Sequence, residues 1–99
     1  MINSIPIVHE CPRCGQGGLE AIRIRSAPPI EAVVCAECDT LWLAPRKVGF
    51  QFDGRVSEVL PGIGMEPSWE SFDSISVGIP WERLDASYQA ILARDPPAT

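Results

Sequence analysis

The sequence predicts a small α+β domain: short strands first, a closing helix, and four cysteines stapling the front half. Three observations carry that expectation. Two Cys-x-x-Cys pairs, Cys11-Pro12-Arg13-Cys14 and Cys35-Ala36-Glu37-Cys38, stand twenty residues apart. Segments between and after them alternate apolar and polar residues, the period-two pattern of a half-buried strand. Near the end, Trp81, Leu84, Tyr88, Ile91 and Leu92 recur at helical spacing and form one apolar stripe.

Ninety-nine residues suffice for a single domain, 1–99, whose small core gains much from a staple. A hydrophobic fraction of 45% is that of a folded globule, and ten prolines with eight glycines predict short elements joined by many turns. No apolar run approaches the roughly 20 residues needed to cross a bilayer, so no membrane partner is expected. The opening M-I-N-S-I-P-I-V-H-E has neither a basic region nor a small-residue cleavage site. The expected location is therefore cytoplasmic, where disulfides are rare. Charge is uneven. Residues 1–50 balance five basic groups against five acidic ones, whereas residues 51–99 set Arg55, Arg83 and Arg94 against eight acidic groups and hold the whole net charge of −5. Such a field repels polyanions and attracts basic partners.

The cysteines admit three readings. A divalent metal wants four soft ligands at one point, and each Cys-x-x-Cys turn supplies two. Gly15 after Cys14 suits a turn that needs positive φ, and Asp39 after Cys38 is among the few other residues that tolerate it. The spacer lies at the upper edge of the range for a zinc site. A redox reading finds support in Cys-Pro-x-Cys, but thioredoxin-like proteins place that pair at a helix start, and Gly15-Gln16-Gly17-Gly18 is a poor one. Structural disulfides would each close a very small loop in a reducing compartment. The expected metal ligands are Cys11, Cys14, Cys35 and Cys38. With four protein sulfurs no position is left for water, so the ion is expected to be structural and no enzyme is expected. Neither a Gly-rich phosphate loop nor a nucleophile elbow is present, and nothing in the carboxylate spacing singles out an acid–base pair. His9, two residues before Cys11, is either a substitute ligand or hydrogen-bonding support for the site, or an ordinary strand residue.

Residues 9–44, with Cys11-Pro12-Arg13-Cys14-Gly15, a hairpin-sized spacer and Cys35-Ala36-Glu37-Cys38, resemble the two knuckles of a zinc ribbon. The resemblance implies one structural Zn2+ between the knuckles and a small antiparallel sheet of about three strands. The residues themselves add a fourth strand at 47–52, giving a three- to four-stranded sheet, and a C-terminal amphipathic helix packed on it. Rubredoxins share such knuckles and hold iron, which is the alternative metal. Ribbons serve in transcription factors, ribosomal proteins, enzyme subunits and adaptors, so the resemblance does not specify a role.

The elements follow in order. Leu19–Arg25 is expected to be a strand with Ile22 and Ile24 on one face and Arg23 and Arg25 on the other, broken by Ser26-Ala27-Pro28-Pro29. Ile30–Val34 returns the chain to Cys35. Thr40–Leu43 leaves the second knuckle and is stopped by Pro45. Lys47–Phe52 alternates up to the turn signal Asp53-Gly54 and predicts a fourth strand opening the second part, 45–99. Val56–Leu60 suits a helical turn or two. Ser68, with Glu70 behind it, predicts a capped short helix before Val77. The main helix is expected over Trp81–Ala93, ended by Asp95-Pro96-Pro97. Its stripe would dock on the sheet or, alternatively, bind a partner.

Two roles compete. The acidic second half, the lack of catalytic groups and the Trp and Tyr anchors are similar to small acidic bacterial immunity-type proteins. That similarity implies a protein-binding inhibitor of a basic toxin or enzyme. The alternative is nucleic-acid or transcription-associated binding through Arg23, Arg25, Arg46 and Lys47 near Trp42, Phe50 and Phe52, unless those groups are merely the solvated face and core of a sheet.

Overall fold

The computed structural model describes residues 7–94. The central element is a five-stranded antiparallel sheet built from β2 (Leu19–Ile24), β3 (Ile30–Cys35), β4 (Thr40–Leu43), β5 (Gly54–Arg55) and β6 (Phe72–Val77), in the order β5-β4-β3-β2-β6. A two-stranded sheet pairs β1 (Ile7–Val8) with β7 (Ile79–Pro80). The helices are α1 (Val56–Gly62) and α2 (Ala86–Arg94).

Sequence alternation explains β2: Ile22 and Ile24 are buried while Arg23 and Arg25 are exposed, as expected. The central β3 reads differently. Ala32, Val33, Val34 and Cys35 are all buried, because the sheet is covered on both faces and a doubly covered strand carries a continuous apolar run. On one face Ile22, Ile24, Ala32, Val34 and Leu41 pack with Val56 and Leu60 of α1 and with Phe72. On the other face Leu19, Val33 and Trp42 pack with Cys11, Val48, Leu84 and Tyr88. Each buried Val, Leu, Ile or Phe among them contributes about 1.5–3 kcal/mol by removing apolar surface from water. The cysteine turns therefore belong to a hydrophobic layer, with α2 beside them.

Three expectations about the second half are corrected. Lys47–Phe52 is not a strand of the sheet. The Val48 N–H donates to the Arg83 carbonyl at 2.9 Å and its carbonyl accepts from the Asp85 N–H at 2.8 Å, so the segment pairs with the chain before α2. Asp53 closes the resulting loop by accepting from the Leu43 N–H at 2.7 Å and Arg46 Nε at 3.2 Å, and β5 takes the edge beside β4. The capped turn at Ser68 forms, with the Ser68 hydroxyl accepting from the Glu70 N–H at 3.1 Å, but it stops after one 3-10 turn, Trp69–Ser71. Phe72–Val77 then becomes strand β6, because it finds the free edge of β2.

The main helix begins five residues later than Trp81. A 3-10 turn, Trp81–Arg83, follows Pro80, and Leu84 is extended. Asp85 starts α2 by accepting from the Tyr88 N–H at 2.9 Å. Docking of the stripe on the sheet is observed: Leu84 and Tyr88 are buried, and Trp81 and Leu92 are partly buried against the same cluster. Ile91 lies outside it, 43% exposed. The expected stop at Asp95-Pro96-Pro97 lies outside the described residues. Among the described residues no helix is long and apolar enough to cross a membrane.

Candidate metal centre

The two cysteine turns are built alike. In the first, the Gly15 N–H closes back on the Cys11 carbonyl at 2.9 Å; in the second, the Asp39 N–H closes on the Cys35 carbonyl at 2.8 Å. Both closing residues have positive φ, 75° at Gly15 and 62° at Asp39, the left-handed region that glycine and aspartate enter at least cost. The turns are then fixed to each other: the Ala36 N–H donates to the Gly18 carbonyl at 2.9 Å, and Leu19 pairs with Cys35 in the β2–β3 ladder.

That arrangement brings the Sγ atoms of Cys11, Cys14, Cys35 and Cys38 within 4.8 Å of one another. Contacts run across the turns, with Cys11 to Cys38 at 3.8 Å and Cys14 to Cys35 at 3.7 Å. Sulfurs held about 2.3 Å from a tetrahedral ion would lie about 3.8 Å apart, so these separations fit one ion at the centre. They exclude disulfides, whose sulfurs are about 2.05 Å apart, and all four thiols are free. The redox reading loses its footing as well, because Cys11 and Cys14 are followed by turn and strand and do not open a helix.

Electrostatics fit the same use. Burial pushes the Cys11 thiol well above its ordinary range, outweighing the Cys14 and Arg13 N–H groups that favour its thiolate. Burial likewise raises Cys35, against donors from Cys38 and Glu37. At Cys38 burial is outweighed by the Thr40 hydroxyl and N–H and by the neighbouring thiols of Cys35 and Cys14, and the group is lowered to about 7. Burial thus opposes the thiolate at Cys11 and Cys35 unless a cation compensates it, while Cys38 is the most readily deprotonated of the three. Thr40 is wholly buried, with its hydroxyl 3.0 Å from Cys38 Sγ, and the Arg13 N–H lies 3.3 Å from Cys11 Sγ. Supporting donors of this kind orient ligands and stabilise thiolates.

His9 stands apart from the sulfur cluster. Its side chain is exposed, and its backbone carbonyl accepts from the Gly18 and Leu19 N–H groups at 3.1 and 3.3 Å. Two contributors carry no sequence signal. Thr40 reads as an ordinary strand residue, and Tyr88 reads as stripe, yet its hydroxyl donates to the Glu10 carbonyl at 3.0 Å and ties α2 to the first turn. Burial, followed by the negative charge of Glu10, raises the Tyr88 phenol to about 12, so it remains a donor.

The expected basic face is largely neutralised. Arg23 pairs with Glu31 at 3.6 Å, Arg25 with Asp73 through Nε at 3.1 Å, and Arg46 with Asp53 at 3.2 Å. Trp42 is fully buried and donates from Nε1 to the Gly49 carbonyl, and Phe52 lies under the Arg13 guanidinium at 4.3 Å. No family model matches this chain, and no curated protein or solved structure matches it at a significant level.

Proposed function

We propose that the chain is a zinc-ribbon module whose single structural Zn2+ is held by Cys11, Cys14, Cys35 and Cys38, and that it works by binding another protein. The observation that carries the metal reading is the pair of cross-turn sulfur separations, 3.7 and 3.8 Å, at the edge length of a tetrahedral thiolate site. Zinc is preferred to iron because four thiolates suit it and a closed structural site asks for no redox chemistry. Four sulfurs saturate the ion, so the reading includes no catalysis.

A protein partner is preferred to nucleic acid because three of the four arginine and lysine groups on the candidate face are spent on in-chain carboxylates. Glu10, Glu37, Glu66, Glu70 and Glu82 are exposed and form no ion pair among the described residues. The remaining surface field is acidic and suits an inhibitor or immunity-type protein that covers a basic toxin or enzyme in the cytoplasm. The test has two arms. Elemental analysis of untagged protein should give one zinc per chain, and its absence overturns the metal reading. Captured from the native host, the partner should be a basic protein released by salt and silenced by added chain. Salt-sensitive binding of DNA or RNA, lost in Arg23→Glu, would overturn that half.

A further inference from the structure

We infer that the outer edge of β6 pairs with β6 of a second copy of this chain, joining two five-stranded sheets across a twofold axis at Ile75. Strand β6 ends the sheet and pairs only with β2 among the described residues. Beyond Phe72 every residue is exposed, and Ile75 and Val77 show 49% and 67% of their surface. Edge strands of monomers are usually blunted by charge or proline, because their unpaired N–H and C=O groups are templates for another strand. Ser74-Ile75-Ser76-Val77 carries neither. Its one charged neighbour, Asp73, is neutralised by Arg25.

The segment is complementary to itself. In an antiparallel pair centred on Ile75, Ser74 of each copy faces Ser76 of the other and Asp73 faces Val77. Ile75 faces Ile75. No like charges meet, serines meet serines, and the half-exposed Ile75 gains an apolar partner, pairings of the kind that stabilise neighbouring strands. The β6–β2 register adds a reason for the centre. Ile22 pairs with Ser74 and Ala21 with Ser76, so Ile75 faces no residue of β2 and its side chain lacks a cross-strand neighbour within the chain. The bulge at Ile75 is the one blunting device this edge carries, and the pairing asks the strand to straighten there. A twofold pairing is also closed: it uses up both edges and stops at two copies.

The test uses the full metal-loaded chain in sedimentation equilibrium, from low micromolar to near-millimolar concentration. Wild type should move from one chain mass to two. Ile75→Lys and Ile75→Glu should each stay at one chain mass throughout, with circular dichroism and thiol protection unchanged because the side chain is half exposed. An equimolar mixture of the two variants should recover the doubled mass, since the axis sets lysine against glutamate. A wild-type chain that stays monomeric overturns the inference, as does a dimer that survives both substitutions. Loss in both variants without recovery in the mixture overturns the Ile75 axis. A chain that takes up only a different protein's strand overturns the assignment to a second copy. Zinc content is measured alongside, so failure here is separable from failure of the metal reading.

Discussion

Gly15 and Asp39 close the two cysteine turns. Both sit at positive φ, a requirement that is local and belongs to the residue after the knuckle. Thr40 and Tyr88 were not legible, because their hydroxyls act on a sulfur and a carbonyl that tertiary packing brings to them. Removing the Thr40 hydroxyl with the near-isosteric Thr40→Val leaves Cys38 without its side-chain donor. Zinc affinity should fall roughly 10- to 100-fold, the usual cost of losing a ligand's support, while Thr40→Ser retains most of it. Competition against a zinc-binding dye measures both. In the folded chain burial disfavours the Cys11 and Cys35 thiolates unless a cation balances them, so their protons must leave when the ion enters. Loading is therefore favoured by rising pH and opposed by falling pH. With at least two protons displaced, apparent affinity should drop roughly a hundredfold per pH unit below neutrality. A flat profile between pH 6 and 8, in the same dye assay, would contradict the burial argument.

At the scale of elements, β2, β3 and β4 were legible almost to the residue, since alternation and the positions of the cysteines fix both ends. What failed was decided by partners far along the chain. Lys47–Phe52 alternates because Val48 packs in the core and Phe52 lies under Arg13, and neither contact involves a ladder. β6 was obscured by serines that are tolerated only because it is an exposed edge. The start of α2 is hidden in the sequence because Trp81 and Leu84 share the helical spacing while belonging to the turn before it. That start depends on Gly49. A β-carbon there would collide with the Asp85 carboxylate that caps α2. Gly49→Ala should therefore displace the cap and cost at least the roughly 1 kcal/mol of Asp85→Ala, with the double variant little worse than either alone. Urea unfolding of the three variants tests this, and simple additivity would show that the two residues act independently.

For the whole molecule, the decisive feature is that one sheet carries both hydrophobic layers. Cys11 and Cys35 sit in the layer with Trp42, Leu84 and Tyr88, while the alternate residues of the same β3 and β4 strands, Ala32, Val34 and Leu41, hold α1 on the opposite face. Losing the proposed ion leaves four crowded sulfurs without the cation that holds them together as thiolates, in a chain whose core supplies only a few kcal/mol by itself. Structural zinc contributes about 10–16 kcal/mol in zinc-finger peptides, so its removal exceeds what the rest of the fold can absorb. Damage cannot stay in residues 9–44, because releasing β3 strips the α1 face as well. Chelation should thus unfold the molecule in a single step. The emission of buried Trp42 should shift to the red with the same midpoint as the loss of far-ultraviolet dichroism, and added zinc should restore both together. A tryptophan shift that precedes the loss of dichroism would instead show an α1 half that stands without the metal, and the two faces would have to be regarded as separately stable.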